Sequence, residues 1–131
     1  MCCWNVTRRR TPHDHPGPLD YCGLFLRGAS HEAAIELTAR ATGATRDGCL
    51  LRVGTIEIEI RRNDNCTQDG GDFPTWPIKM DIERGHATGH HVVETVSKIL
   101  TSVWQAGHDA VAACDYEDEL PELGGYRRYR D

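Results

Sequence analysis

A chain of 131 residues predicts one domain, and a domain of that size buries about two-thirds of its unfolded surface, enough to stand without staples or metals. Hydrophobic residues at 39% and charged residues at 27% suit a globular protein, while a formal net charge of -5 argues against a general nucleic-acid binder and leaves a basic protein partner open. No run approaches the roughly 20 apolar residues of a membrane span, and the first ten residues turn polar and basic after Trp4 instead of forming a secretory signal. The expected setting is therefore cytoplasmic, with no membrane and with the six scattered cysteines as free thiols.

Residues 1–19 read as a flexible leader, because Arg8, Arg9 and Arg10 are followed by Pro12, Pro16 and Pro18 among His13 and His15. The folded domain is expected over 20–131. Tyr21 to Arg27 predicts a strand with the continuous apolar run Leu24, Phe25 and Leu26. Ser30 then suits a helix N-cap, Glu32 its first turn, and Gly43 its C-terminal stop. The apolar face of this helix is expected at Ala34, Leu37 and Ala41, with Ile35 alongside. Cys49 to Val53 predicts a second strand. Thr55 to Arg61 predicts a third, since Ile56, Ile58 and Ile60 alternate with Glu57, Glu59 and Arg61, and strand side chains change face at every residue.

The polar stretch over 62–77 reads as a long loop, whose length makes it either functional or mobile. Ile78, Met80 and Ile82 alternate with Lys79, Asp81 and Glu83 in a fourth strand. After Thr88, a candidate N-cap, Val92, Val96, Ile99, Leu100 and Val103 fall at helical spacing, with Val93 and Trp104 widening the stripe. Ala110 to Cys114, apolar throughout, predicts a last strand at the centre of the sheet. The order β-α-β-β-β-α-β implies an α+β fold: an antiparallel sheet with two helices on one face, on the ferredoxin-like split β-α-β plan. The charged face of the third and fourth strands then looks to solvent or to a partner.

Few residue patterns point to catalysis. His86 and His90 are four apart, the spacing at which one helix face chelates a metal, but Gly85 and Gly89 place His86 before the helix. His91 belongs to the same turn. There is no C-x-x-C pair, no Gly-rich nucleotide fingerprint and no G-x-S-x-G elbow. Cys66 sits beside Asp64 and Asp69, and anions make a thiol less acidic. Cys22, Cys49 and Cys114 read as small core residues.

The sharpest feature is the carboxylate cluster after the last strand: Asp115, Glu117, Asp118, Glu119 and Glu122, interleaved with Tyr116, Leu120, Pro121 and Leu123. Three readings stay open. The carboxylates are an acid/base pair, a solvated tail, or a shaped segment that meets a basic surface and steers association.

Two stretches carry a resemblance. Asp72-Phe73-Pro74 leads into Ile78-Lys79-Met80-Asp81-Ile82-Glu83, and Ala112-Ala113-Cys114 runs through Asp115-Tyr116-Glu117-Asp118-Glu119-Leu120-Pro121 to Gly124-Gly125-Tyr126. From about Tyr21 to Tyr126 the chain resembles a group of small bacterial α/β proteins with a D-[YF]-E-D-E-L-P ending. In size, charge and architecture it also resembles immunity proteins of polymorphic toxin systems. That resemblance implies a cytoplasmic protein, not an enzyme, that binds a cognate toxin domain stoichiometrically.

The interface is expected at Asp115, Tyr116, Glu117, Asp118 and Glu119, with Asp64, Asp72 and Trp76 from the loop. No catalytic residue, cofactor, metal or nucleic acid is expected. The alternatives are a small enzyme or ligand-binding domain that uses the carboxylates or histidines, and a homo-oligomer, such as a homodimer, paired through an open sheet edge.

Overall fold

The computed structural model describes residues 21–64, 66 and 73–129. The leader over 1–19 and Asp72 lie outside these residues. In chain order the elements are β1 (Tyr21–Arg27), α1 (His31–Thr42), β2 (Thr45–Asp47), β3 (Leu50–Val53), β4 (Ile56–Arg62), β5 (Ile78–Glu83), α2 (Gly89–Gln105), β6 (Asp109–Ala113) and α3 (Tyr126–Tyr129). Tight 3₁₀ turns occupy Phe73–Thr75 and Glu117–Glu119, and a kinked turn occupies Pro121–Gly125.

The strands form one sheet in the order β2-β3-β4-β5-β1-β6, with every neighbouring pair antiparallel. The fold is α+β. Its register follows from the alternation in sequence. Ile60 faces Met80, Met80 faces Leu24, and Leu24 faces Ala112, so one apolar row crosses four strands. Ile58, Ile82 and Cys22 form a parallel row beside it. Each fully buried isoleucine contributes about 1.5–3 kcal/mol through the water it leaves, and Ile56, Ile58 and Ile60 are all 0% exposed.

Both long helices cover this apolar face. Their buried residues join Leu24, Ile58, Met80 and Ala112 in a single core. Ser30 caps α1 by accepting from the Ala33 N–H at 3.1 Å, and Gly43 ends it in the left-handed region at φ 72°. Thr88 caps α2 by accepting from the His91 N–H at 3.1 Å.

Four details depart from expectation. The strand β2 has no apolar residue and all three of its residues are exposed, so its backbone ladder to β3 and not its side-chain pattern defines it. The buried face of α1 is Ala34, Ile35 and Thr38, with Leu37 and Ala41 only half-buried, because the helix packs against α2 as well as against β3 and β4. The strand β6, expected at the centre of the sheet, lies at one end of the strand order, and against it Trp104, half-buried on the core at the end of α2, donates its indole N–H to the Ala110 carbonyl at 3.1 Å. Cys49 is disulfide-bonded, whereas Cys22, Cys66 and Cys114 are free.

Candidate functional site

The acidic segment is folded, not a tail. After β6 the chain makes a tight turn in which the Glu119 N–H bonds to the Tyr116 carbonyl and the Leu120 N–H to the Glu117 carbonyl, both at 3.0 Å. Tyr116 and Leu120 anchor this turn in the core, at 1% and 4% exposure. With these two pointing inward, Asp115, Asp118 and Glu119 point outward and are exposed. Glu117 is half-buried, and its Oε2 accepts from the Cys114 N–H at 3.3 Å.

The next turn locks the segment against the sheet. Glu122 and Leu123 adopt positive φ values of 54° and 53°, a left-handed conformation that costs a non-glycine residue about 1–2 kcal/mol. Gly124 and Gly125 continue at φ 73° and 106°. A Cβ on Gly124 would lie 2.8 Å from the Ala112 carbonyl oxygen, and one on Gly125 would lie 2.6 Å from that of Ala110. Only glycine permits this approach to β6, the last strand of the sheet order. The returning chain thereby covers an edge that would otherwise invite pairing. Arg128 completes the seat with its guanidinium 4.6 Å from the Trp104 ring centre.

Beside the turn lies a cavity of 320 Å³ lined by Glu117, Asp118, Leu123 and Tyr126. Burial, and then a hydrogen bond to Glu117, push the Tyr126 phenol up to about 12. It therefore stays protonated near neutrality, beside the Glu117 carboxylate. The Tyr126 ring meets Phe73 edge-on at 5.3 Å, and Phe73 meets Phe25 at 5.6 Å. Such aromatic contacts add about 0.5–1.5 kcal/mol each beyond the area they bury. A row of rings thus runs from Tyr126 at the cavity through Phe73 to Phe25, whose place in β1 puts it on the sheet face opposite the helices.

On that face, Asp81 is the centre of a charged network. Tyr21 Oη donates to Asp81 Oδ1 at 2.5 Å, Arg61 Nε donates to Oδ2 at 2.8 Å, and Lys79 Nζ lies 3.5 Å away. Burial alone would raise the Asp81 pKa, but the bonds from Tyr21 and Arg61 outweigh it and hold the carboxyl below its usual range. Burial and the bond to Asp81 push the Tyr21 phenol far up. Gly23, opposite Asp81 in the register, makes room for the Tyr21 ring. A Cβ there would be 3.2 Å from Tyr21 Oη.

Trp76 is 4% exposed, with the Arg27 guanidinium 4.4 Å from its ring centre and its carbonyl accepting from Asn63 Nδ2 at 2.7 Å. Its burial and that of Tyr116 give both a packing role. Asp64 is exposed and pairs with Arg61 at 3.7 Å, so it extends the Asp81 network and not the acidic turn. Asp72 falls outside the described residues. His86 precedes α2, and its N–H is held by Thr55 Oγ1 at 2.9 Å. Among the described residues, no group of three or more His, Cys, Asp or Glu is arranged to hold a metal, and no helix is long and apolar enough to cross a membrane.

Sequence reasoning passed over Leu123, Tyr126, Phe25 and Phe73 as members of the surface around the turn. The Gly124-Gly125 pair was the available signal, because adjacent glycines after a polar run mark a close backbone approach. No family model, curated protein or solved structure matches the chain.

Proposed function

We propose that this chain is a protein-binding domain that presents its acidic turn to a basic protein partner, and that it acts as a cytoplasmic immunity protein capturing a cognate toxin domain. The observation that carries this reading is the docking of 115–125 onto the edge of the sheet, with Tyr116, Leu120, Gly124 and Gly125 fixed and Asp115, Asp118 and Glu119 exposed. A solvated acidic tail needs no left-handed backbone at Glu122 and Leu123. Strain of that kind persists only where the surroundings hold it, and it concentrates at binding surfaces. The cavity between Glu117, Asp118, Leu123 and Tyr126 fits the chemistry of a partner's lysine or arginine, with carboxylates for the charge and a ring for the stem.

The order β6-β1-β5-β4 supports placing the domain on the ferredoxin-like plan, with the β2–β3 hairpin added at one edge. That edge gives self-pairing little footing. It is three residues long, and its Arg46 is tied to Glu32 of α1 at 2.7 Å.

The test is co-expression with a toxin domain encoded beside this chain. Wild type is expected to protect growth and to bind one-to-one. The triple variant Asp115→Lys, Asp118→Lys, Glu119→Lys is expected to fold but to associate more slowly, most of all at low salt. Equal association rates for the two proteins across a salt series would remove the acidic turn from the interface.

A further inference from the structure

The β1–β6 ladder pairs Leu24 with Ala112 and Gly23 with Ala113. One step further in the same register, Cys22 comes opposite Cys114, and each thiol is the neighbour that most shifts the other's acidity. Directly opposed residues on antiparallel strands lie about 4.5 or 5.5 Å apart at Cα, and both spacings fall in the window of about 4.4–6.8 Å that a disulfide spans. Both cysteines are free thiols. Cys22 is fully buried and Cys114 is partly exposed. Burial first, and then both neighbouring thiols, push the Tyr116 phenol far up, and its hydroxyl is buried without a hydrogen-bond partner. A buried orphan donor facing two sulfurs is an environment in which an oxygen added to sulfur finds a hydrogen bond.

We propose that Cys22 and Cys114 form a redox-modification site, a dithiol that a peroxide oxidises to a cross-strand disulfide beneath Tyr116. Cys114 is the entry point because it is the thiol that solvent reaches. Its thiolate attacks one peroxide oxygen, an S–O bond forms, the O–O bond breaks, and the departing oxygen leaves as water after taking a proton. The Cys22 sulfur then attacks the sulfenic sulfur, the S–S bond forms, the S–O bond breaks, and a second water leaves. Two thiols lose two electrons and two protons, and one peroxide becomes two waters. The neighbouring Cys22 thiol outweighs burial and the charge of Glu117, and it holds the Cys114 thiol below its ordinary value; the Cys114 thiol, with burial, pushes Cys22 up. The partly exposed thiol is thus the readier nucleophile and the buried one the resolving thiol. Because the Cys114 N–H binds Glu117, the modification sits at the root of the acidic turn.

The test treats the native full chain with hydrogen peroxide, blocks remaining thiols with N-ethylmaleimide, digests without reduction and maps the peptides by mass spectrometry. The expected product is a peptide pair joined through Cys22 and Cys114 that dithiothreitol separates. In Cys22→Ser, a sulfenic acid at Cys114 should be trapped by dimedone. Exposed Cys66 is the internal comparison. If Cys22 and Cys114 both remain thiols while Cys66 is oxidised, or if Cys114 joins a different cysteine, the proposal is overturned. The wild-type map decides this even if Cys22→Ser does not fold.

Discussion

Replacing Gly125 by alanine tests whether the acidic segment is truly docked. Two costs follow from the geometry. The backbone at φ 106° is foreign to an L side chain, and leaving the usual region costs at least about 1–2 kcal/mol. The new Cβ would also stand 2.6 Å from the Ala110 carbonyl oxygen and 3.2 Å from the Trp104 ring. A backbone oxygen in a paired strand cannot swing aside as a flexible side chain would, and such overpacking costs about 1–3 kcal/mol. Together these predict a loss of about 2–5 kcal/mol, unless docking is worth less and the segment detaches instead. Gly43→Ala is the control: φ is 72° but no atom lies within 4 Å of the added Cβ, so only about 1–2 kcal/mol is expected. The assay combines urea denaturation with hydrogen exchange across 115–128. A midpoint shift worth less than about 0.5 kcal/mol, with unchanged protection of that segment, would refute both the docking and the binding surface built on it.

Three further outcomes are expected. Asp81→Asn should destabilise the domain by about 1–3 kcal/mol, because Tyr21, Arg61 and Lys79 lose a charged acceptor on a face they share with Glu59. The folded pKa of Asp81 is depressed, so its contribution is fully present above the unfolded value near 3.9 and is lost as pH falls through the folded value; the gap between wild type and variant in a melt should therefore narrow as pH falls below about 4, and a gap that widens on acidification would contradict the assignment. Tyr116→Phe should leave stability unchanged or raise it slightly, since the lost hydroxyl has no nitrogen or oxygen partner; a loss above about 1 kcal/mol would mean that its contacts with the thiols are worth more than the orphan geometry implies. Ile99→Ala should cost about 2–5 kcal/mol as a fully buried residue on the core side of α2, read from the denaturant midpoint, and a cost below about 1 kcal/mol would show that the helix face is misplaced.

What the sequence determined by itself was local and periodic. Ile56, Ile58 and Ile60 alternate with charged residues, so their strand and its buried face follow from the pleat alone. Ser30, Gly43 and Thr88 mark helix ends because capping is decided within a few residues of the end. Val92, Val96, Ile99, Leu100 and Val103 share one face of α2 because their spacing follows the helical period. The D-Y-E-D-E-L-P run stood out by composition, and its interleaved apolar residues hinted at a shaped segment.

Tertiary structure decided whatever depends on residues far apart in the chain. The strand β2 exists because β3 supplies its hydrogen bonds, and Thr45, Arg46 and Asp47 carry no apolar pattern to announce it. Trp76 reads as a loop aromatic, yet it is buried through Arg27 and Asn63, which come from two other strands' ends. Tyr116 lies within an acidic run, but core packing turns its ring inward and its neighbours' carboxylates outward. Cys22 and Cys114 meet only because the sheet places the first strand beside the last. Periodicity reports which face a side chain takes relative to its own backbone, whereas pairing between distant strands decides which side chain stands across from it.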